Sequence, residues 1–100
     1  MRKFEIAKGF ENENVILPRR TTASSAGYDF RTLETKDIQP GETVLVHTGV
    51  KAAMNSNEVL LIYIRSSIGY KRSLELANAV AVIDADYYGN LDNDGEIMLA

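Results

Sequence analysis

The stretch Val59-Leu60-Leu61-Ile62-Tyr63-Ile64-Arg65 decides the fold class. Its apolar run is too short for a typical helix and too continuous for a strand with one wet face. It therefore predicts a strand covered on both sides and closed by a charge. Ala79-Val80-Ala81-Val82-Ile83 reads the same way and runs into Asp84. Outward from these two, Phe4 and Ile6 alternate within Lys3 to Ala7, and Val15-Ile16-Leu17 stops at Pro18. The run Thr43 to His47 opens after the Pro40-Gly41 turn signal and closes at Gly49. A last strand, Glu96 to Ala100, follows the turn-rich stretch Gly89 to Gly95. Thr21 to Gly27 reads as a loop, Met54 to Asn57 as one helical turn, and Ser66 to Gly69 as a turn or short helix start. No helical period persists for three turns and no repeat is present. The expectation is an all-β chain, a sandwich or jelly roll.

A length of 100 residues suits a single domain spanning 1–100, and the 45% hydrophobic and 25% charged fractions are those of a chain that folds. No run approaches the ~18–20 apolar residues of a membrane span, and Met1 to Glu5 lacks the apolar stretch of a signal peptide. A cytoplasmic location and no membrane partner are expected. Without cysteine, disulfides and thiolate metal sites are excluded. The net charge of −3 argues against a nucleic-acid surface, which relies on many clustered cations. A phosphorylated ligand would have to meet a local group such as Arg65, Lys71 and Arg72.

Three constellations carry chemistry. In Ala26-Gly27-Tyr28-Asp29-Phe30, a glycine turn sets one carboxylate between two aromatics, which by itself fits an ordinary turn or strand edge as well. Arg65-Ser66-Ser67-Ile68-Gly69-Tyr70-Lys71 offers a guanidinium, two hydroxyls and a flexible backbone, donors suited to phosphate; a solvated charged turn is the plain alternative. It lacks the Gly-x-x-x-x-Gly-Lys-Ser/Thr pattern of a P-loop. In Leu76 to Gly89, Asp84 and Asp86 end an apolar strand. They would share a face if the backbone stayed extended, and could then orient a water or a metal. Tyr87 and Tyr88 could stack on a ring or simply fill the core.

In this order, the three constellations closely resemble the first three of the five motifs of the dUTPase family, and the resemblance covers nearly the whole chain. It includes Leu17 to Thr22, Pro40-Gly41-Glu42 and Val46 to Val50. The resemblance implies a jelly-roll-like β subunit, a homotrimer with sites shared between subunits, and Mg²⁺-dependent hydrolysis of dUTP to dUMP and pyrophosphate. Carried over, Asp84 activates the water that attacks the α-phosphorus, and Tyr87 packs on the deoxyribose and excludes a 2′-hydroxyl. Asn78 pairs with the uracil edge, helped by backbone groups of Val82 and Ile83. Arg65, Ser66 and Ser67 grip the phosphates from a neighbouring subunit, and Gly69 keeps that loop compact. Asp29 supports the metal region through water.

Two positions depart from the family pattern: Ser67 and Ala81 stand where glycine is usual. The Ala81 methyl is expected to crowd the uracil pocket. The fourth and fifth motifs, the latter a glycine-rich arm, are not found before Ala100. The sequence-based expectation is thus a domain incomplete at its C-terminal strands, with weak or no activity and altered assembly. One rival is the related dCTP deaminase, which usually differs in the third motif. Another is a fragment that binds nucleotide or assembles without turnover.

Overall fold

The computed structural model describes residues 2–72 and 74–100. Six strands appear in chain order: β1 (Lys3–Ile6), β2 (Val46–His47), β3 (Val50–Ala53), β4 (Val59–Ile62), β5 (Ala81–Asp84) and β6 (Met98–Leu99). They form three antiparallel pairs, β1 with β3, β2 with β6 and β4 with β5. One helix, α1 (Ser66–Arg72), follows β4, and a 3₁₀ turn (Ala85–Tyr87) follows β5. The class is all-β, as the short apolar runs imply. Among the described residues no helix is long and apolar enough to cross a membrane.

Ala52, Ile62, Leu76, Ala81 and Ile97 form the buried core, and Phe4, Phe30, Leu60, Ile83 and Leu99 pack against it. Phe4 meets both Tyr28 and Phe30 edge-on, with ring centroids 5.4 and 5.3 Å apart. This pins the 28–30 segment onto β1 through ring contacts that favour such T-shaped geometry.

The two central strands are not covered on both faces. Leu60 and Ile62 point inward, while Val59 and Leu61 are 52% and 44% exposed; across the ladder, Ala81 and Ile83 face the core and Val82 is 57% exposed. β4 and β5 form a two-stranded pair whose outer side is left open among the described residues. Period-two alternation then decides which residues are wet.

Several expected elements take other forms. Val15 to Leu17 forms no strand; Pro18 cannot donate to a ladder, and only an isolated bridge between Arg19 and Asp29 joins this segment to another. The run from Thr43 is a strand only at Val46–His47, and the C-terminal run only at Met98–Leu99, because each is the other's partner over that length. Met54 to Asn57 is not helical; Asn55 and Glu58 close a turn instead, with Glu58 N–H donating to the Asn55 carbonyl at 3.0 Å. Ser66 onward is a full short helix, in which the Arg65 carbonyl accepts from the N–H groups of Ile68 and Gly69.

A buried carboxylate ties β2, β3 and the C-terminal segment together. Glu96, 2% exposed, accepts from His47 Nδ1 at 2.8 Å, Thr48 N–H at 3.1 Å and Gly49 N–H at 3.0 Å. Burying a charge is tolerable when hydrogen bonds replace lost water. The lone histidine therefore serves this brace.

Candidate active site

Asp84 closes β5 directly opposite Val59, the first residue of β4. Its backbone is extended, and its side chain does not cap the 3₁₀ turn that begins at Ala85. Asp84 is exposed, on the same outer side as Val59, Leu61 and Val82, and makes no hydrogen bond among the described residues. Among the described residues nothing braces or neutralises this carboxylate. Asp86 does not share its face: the chain turns to 3₁₀ at Ala85, where three residues make a turn and residues two apart diverge.

The hairpin leading into β5 carries Asn78. Leu76 to Val80 turns tightly, with Ala79 N–H donating to the Leu76 carbonyl at 2.9 Å and Val80 N–H to the Asn78 carbonyl at 2.7 Å. Ala79 takes a left-handed φ of 66°, uncommon for a residue with a Cβ. The Asn78 side chain is exposed and unpaired among the described residues, free to offer a donor and an acceptor. Ala81, expected to crowd a base pocket, is buried in the core cluster.

Tyr87 is positioned by the loop that follows it. Its hydroxyl donates to the Glu96 carbonyl at 2.8 Å and accepts from Asn93 Nδ2 at 2.7 Å, while Asn90 Nδ2 binds the Tyr87 carbonyl at 2.7 Å. Gly95, at φ 90°, allows this closure; a Cβ there would lie 2.8 Å from the Tyr87 carbonyl oxygen. Tyr88 does not join Tyr87 as a stacking pair. Its ring lies under the Lys51 ammonium at 5.0 Å and its hydroxyl bonds Glu5. That bond, with Lys3 in second place, holds the Glu5 carboxyl below its ordinary range.

At the opposite end of β4, Arg65 and Asp29 come together, Nε to Oδ1 4.0 Å. The other Asp29 oxygen accepts from the Thr21 hydroxyl, and the Asp29 N–H donates to the Arg19 carbonyl at 2.9 Å. A cavity of about 590 Å³ opens beside this group. Ser66 and Ser67 are exposed at the start of α1, on a helix rather than a loop. Gly69 lies inside that helix, where a Cβ would come within 3.2 Å of the Ile64 side chain.

The single chain thus keeps the candidate residues apart: Asp84, followed closely by Tyr87, closes the Val59 end of the β4–β5 pair, while the turn that carries Asn78 enters β5 at the Ile62 end, the end from which the chain runs on to Arg65 and its neighbour Asp29. The three residue steps from Val59 to Ile62 alone span ~10 Å, and Arg65 lies further on. Sequence reading did not single out Glu96, Asn93 or the arginines flanking Asp29. Polar residues opening an apolar run, as in Gly95-Glu96-Ile97, were the available signal for the first.

The all-β chain therefore carries an exposed carboxylate at the end of one strand and a cationic group apart from it. The dUTPase family profile matches residues 13–93. The deoxyuridine 5'-triphosphate nucleotidohydrolase of Lactococcus lactis is 46% identical over 99% of this chain and 66% of its own length. That of Chromobacterium violaceum is 44% identical over 75% of this chain and 52% of its own length. A crystal structure of dUTPase from Streptococcus mutans superposes with a TM-score of 0.84 at 47% identity, covering 96% of this chain and 77% of that one. The chain belongs to the dUTPase family, and its fold is the all-β jelly roll. It spans 66% and 52% of the two curated relatives.

Proposed function

We infer that this chain acts in hydrolysis of dUTP to dUMP and pyrophosphate. The observation that carries the reading is the Asp84 carboxylate, exposed at the end of β5, three residues before Tyr87, and without a partner among the described residues. A carboxylate with no internal partner is available to take a proton from water. The water oxygen forms a bond to the α-phosphorus, the bond to the bridging oxygen breaks, and pyrophosphate leaves with that electron pair. Asn78 reads the uracil edge, with backbone groups of Val82 and Ile83 nearby, and the Tyr87 ring leaves no room for a 2′-hydroxyl.

Arg65, Ser66 and Ser67 hold phosphates, and they do so from a second copy. One chain keeps Asp84 and Arg65 at opposite ends of β4, and the outer side of β4 and β5 presents Val59, Leu61 and Val82 uncovered. Apolar surface of this kind is removed from water by association. A homotrimer satisfies both features. A small nucleotide substrate suits a cytoplasmic location.

Mg²⁺ fits the donor set in one manner. Among the described residues no three acidic or histidine side chains gather to form a metal cage. Asp29 is a single carboxylate already engaged by Thr21 and near Arg65, so it would hold the ion through water while substrate phosphates supply the direct oxygens. When bound, the ion neutralises phosphate charge.

Pyrophosphate release from dUTP, measured beside UTP and dCTP, tests the function. Release from dUTP that exceeds that from UTP and is lost in Asp84→Asn is expected. Ammonia from dCTP, or nucleotide binding with no turnover at all, would overturn it.

A further inference from the structure

We propose that Arg19 and Arg31, outside the three motifs, build a pyrophosphate-binding site with Arg65, taking the tail of a nucleoside triphosphate and the leaving pyrophosphate. The inference rests on the reading above for the source of the ligand and goes beyond it in naming the site.

The cavity beside Asp29 is lined by Arg19, Arg20, Arg31 and Arg65, with Thr21 and Asp29 between them. Four arginines and a single carboxylate thus line one cavity, in a chain whose net charge is −3. Two segments far apart in sequence bring them there: the bridge of Arg19 to Asp29 sets residues 19–21 beside 29–31, and β4 delivers Arg65. Arg20 is already committed, stacked on the Tyr28 ring at 4.7 Å and donating to the Ser25 carbonyl. The Arg19 and Arg31 side chains have no hydrogen-bond or ion-pair partner among the described residues, and the Arg65 side chain has only the loose 4.0 Å approach to Asp29.

Like charges held together without counter-charge repel, so this arrangement costs stability unless an anion completes it. Guanidiniums present planar forks that match phosphate oxygens two at a time. A cavity of about 590 Å³ falls in the range of ligand sites and is wide enough for two linked phosphates.

The test is calorimetric titration of the whole chain with inorganic pyrophosphate and Mg²⁺, and separately with dUMP, for wild type and the Arg19→Gln/Arg31→Gln double variant. Both side chains are exposed and unpartnered, so the fold should be unaffected, and equal melting temperatures would verify this. Pyrophosphate affinity is expected to fall by about tenfold or more with dUMP affinity unchanged, the loss of charge-assisted hydrogen bonds setting the scale. Equal pyrophosphate affinity in the two proteins, no pyrophosphate binding by wild type, or equally tight sulfate binding would overturn the site. Pyrophosphate binding that depends on the two arginines, without any dUMP binding, would support the site while defeating the nucleotide reading.

Discussion

Val59 stands directly across the ladder from Asp84, and both lie on the uncovered side of the β4–β5 pair. The candidate base therefore projects from a surface that is half apolar, where a second subunit would seat and exclude water. If Asp84 is the proton acceptor, Asp84→Asn keeps the shape and removes the base. We expect kcat to fall by about 10²–10⁴-fold with little change in melting temperature, since the carboxylate makes no bond among the described residues. Steady-state pyrophosphate release and a thermal melt check this; comparable activity in the variant would exclude Asp84.

Tyr87 has two separable parts. Its hydroxyl is spent on the Glu96 carbonyl and Asn93, whereas its ring is proposed to select deoxyribose. Tyr87→Phe should cost about 0.5–1.5 kcal/mol in urea unfolding and leave the preference for dUTP over UTP intact. Tyr87→Ala should erase that preference. Loss of selectivity in the phenylalanine variant would assign the discrimination to the hydroxyl instead.

Glu96 is the stability test. Its truncation to alanine strands His47 and Gly49 N–H and leaves Thr48 N–H only its 3.2 Å bond to the Ile97 carbonyl, and removing one side of a buried charged network costs about 3–5 kcal/mol. Glu96→Gln, which keeps one acceptor oxygen, should fall between the two. Denaturant midpoints that barely move in the alanine variant would mean that water replaces the carboxylate.

Acid sensitivity should trace to Asp94. Lys51 bonds it at 2.6 Å and the Lys8 N–H at 2.9 Å, and the Lys51 bond is the main reason its carboxyl lies below the ordinary 3.8. A carboxyl depressed on folding stabilises the native state above its unfolded value, and that contribution disappears as pH drops through the folded value. The melting-temperature gap between wild type and Asp94→Asn should thus be widest at neutral pH and close below about pH 4. Asparagine tolerates the left-handed φ of 61° at this position, so backbone strain should not confuse the comparison. A gap that stays constant between pH 3 and 7 would contradict the assignment.

Much of this was legible from residue order. The apolar runs entering Arg65 and Asp84 marked both strands and both charged ends, because a strand closed by a charge has few other readings. Burial on the outer face was not legible: the run Val59-Leu60-Leu61-Ile62 is equally apolar at wet and dry positions, and only pairing shows which alternate residues meet the core. The Asp84 and Asp86 relation failed because the switch to 3₁₀ at Ala85 leaves no mark in composition. Arg19 and Arg31 escaped notice for a different reason. They flank a loop, and the bridge that makes them neighbours is a tertiary contact.

The alternation along β5 has a consequence for insertions and deletions. Ala81 and Ile83 face inward and Val82 outward, so removing one residue between Ala81 and Asp84 would reverse every side chain after the lesion. The acid would be driven toward Ile97 and an isoleucine turned out to water. Conservative substitutions in this strand can be absorbed, but its length has no slack: chemistry at its tip depends on counting in twos from Ala81.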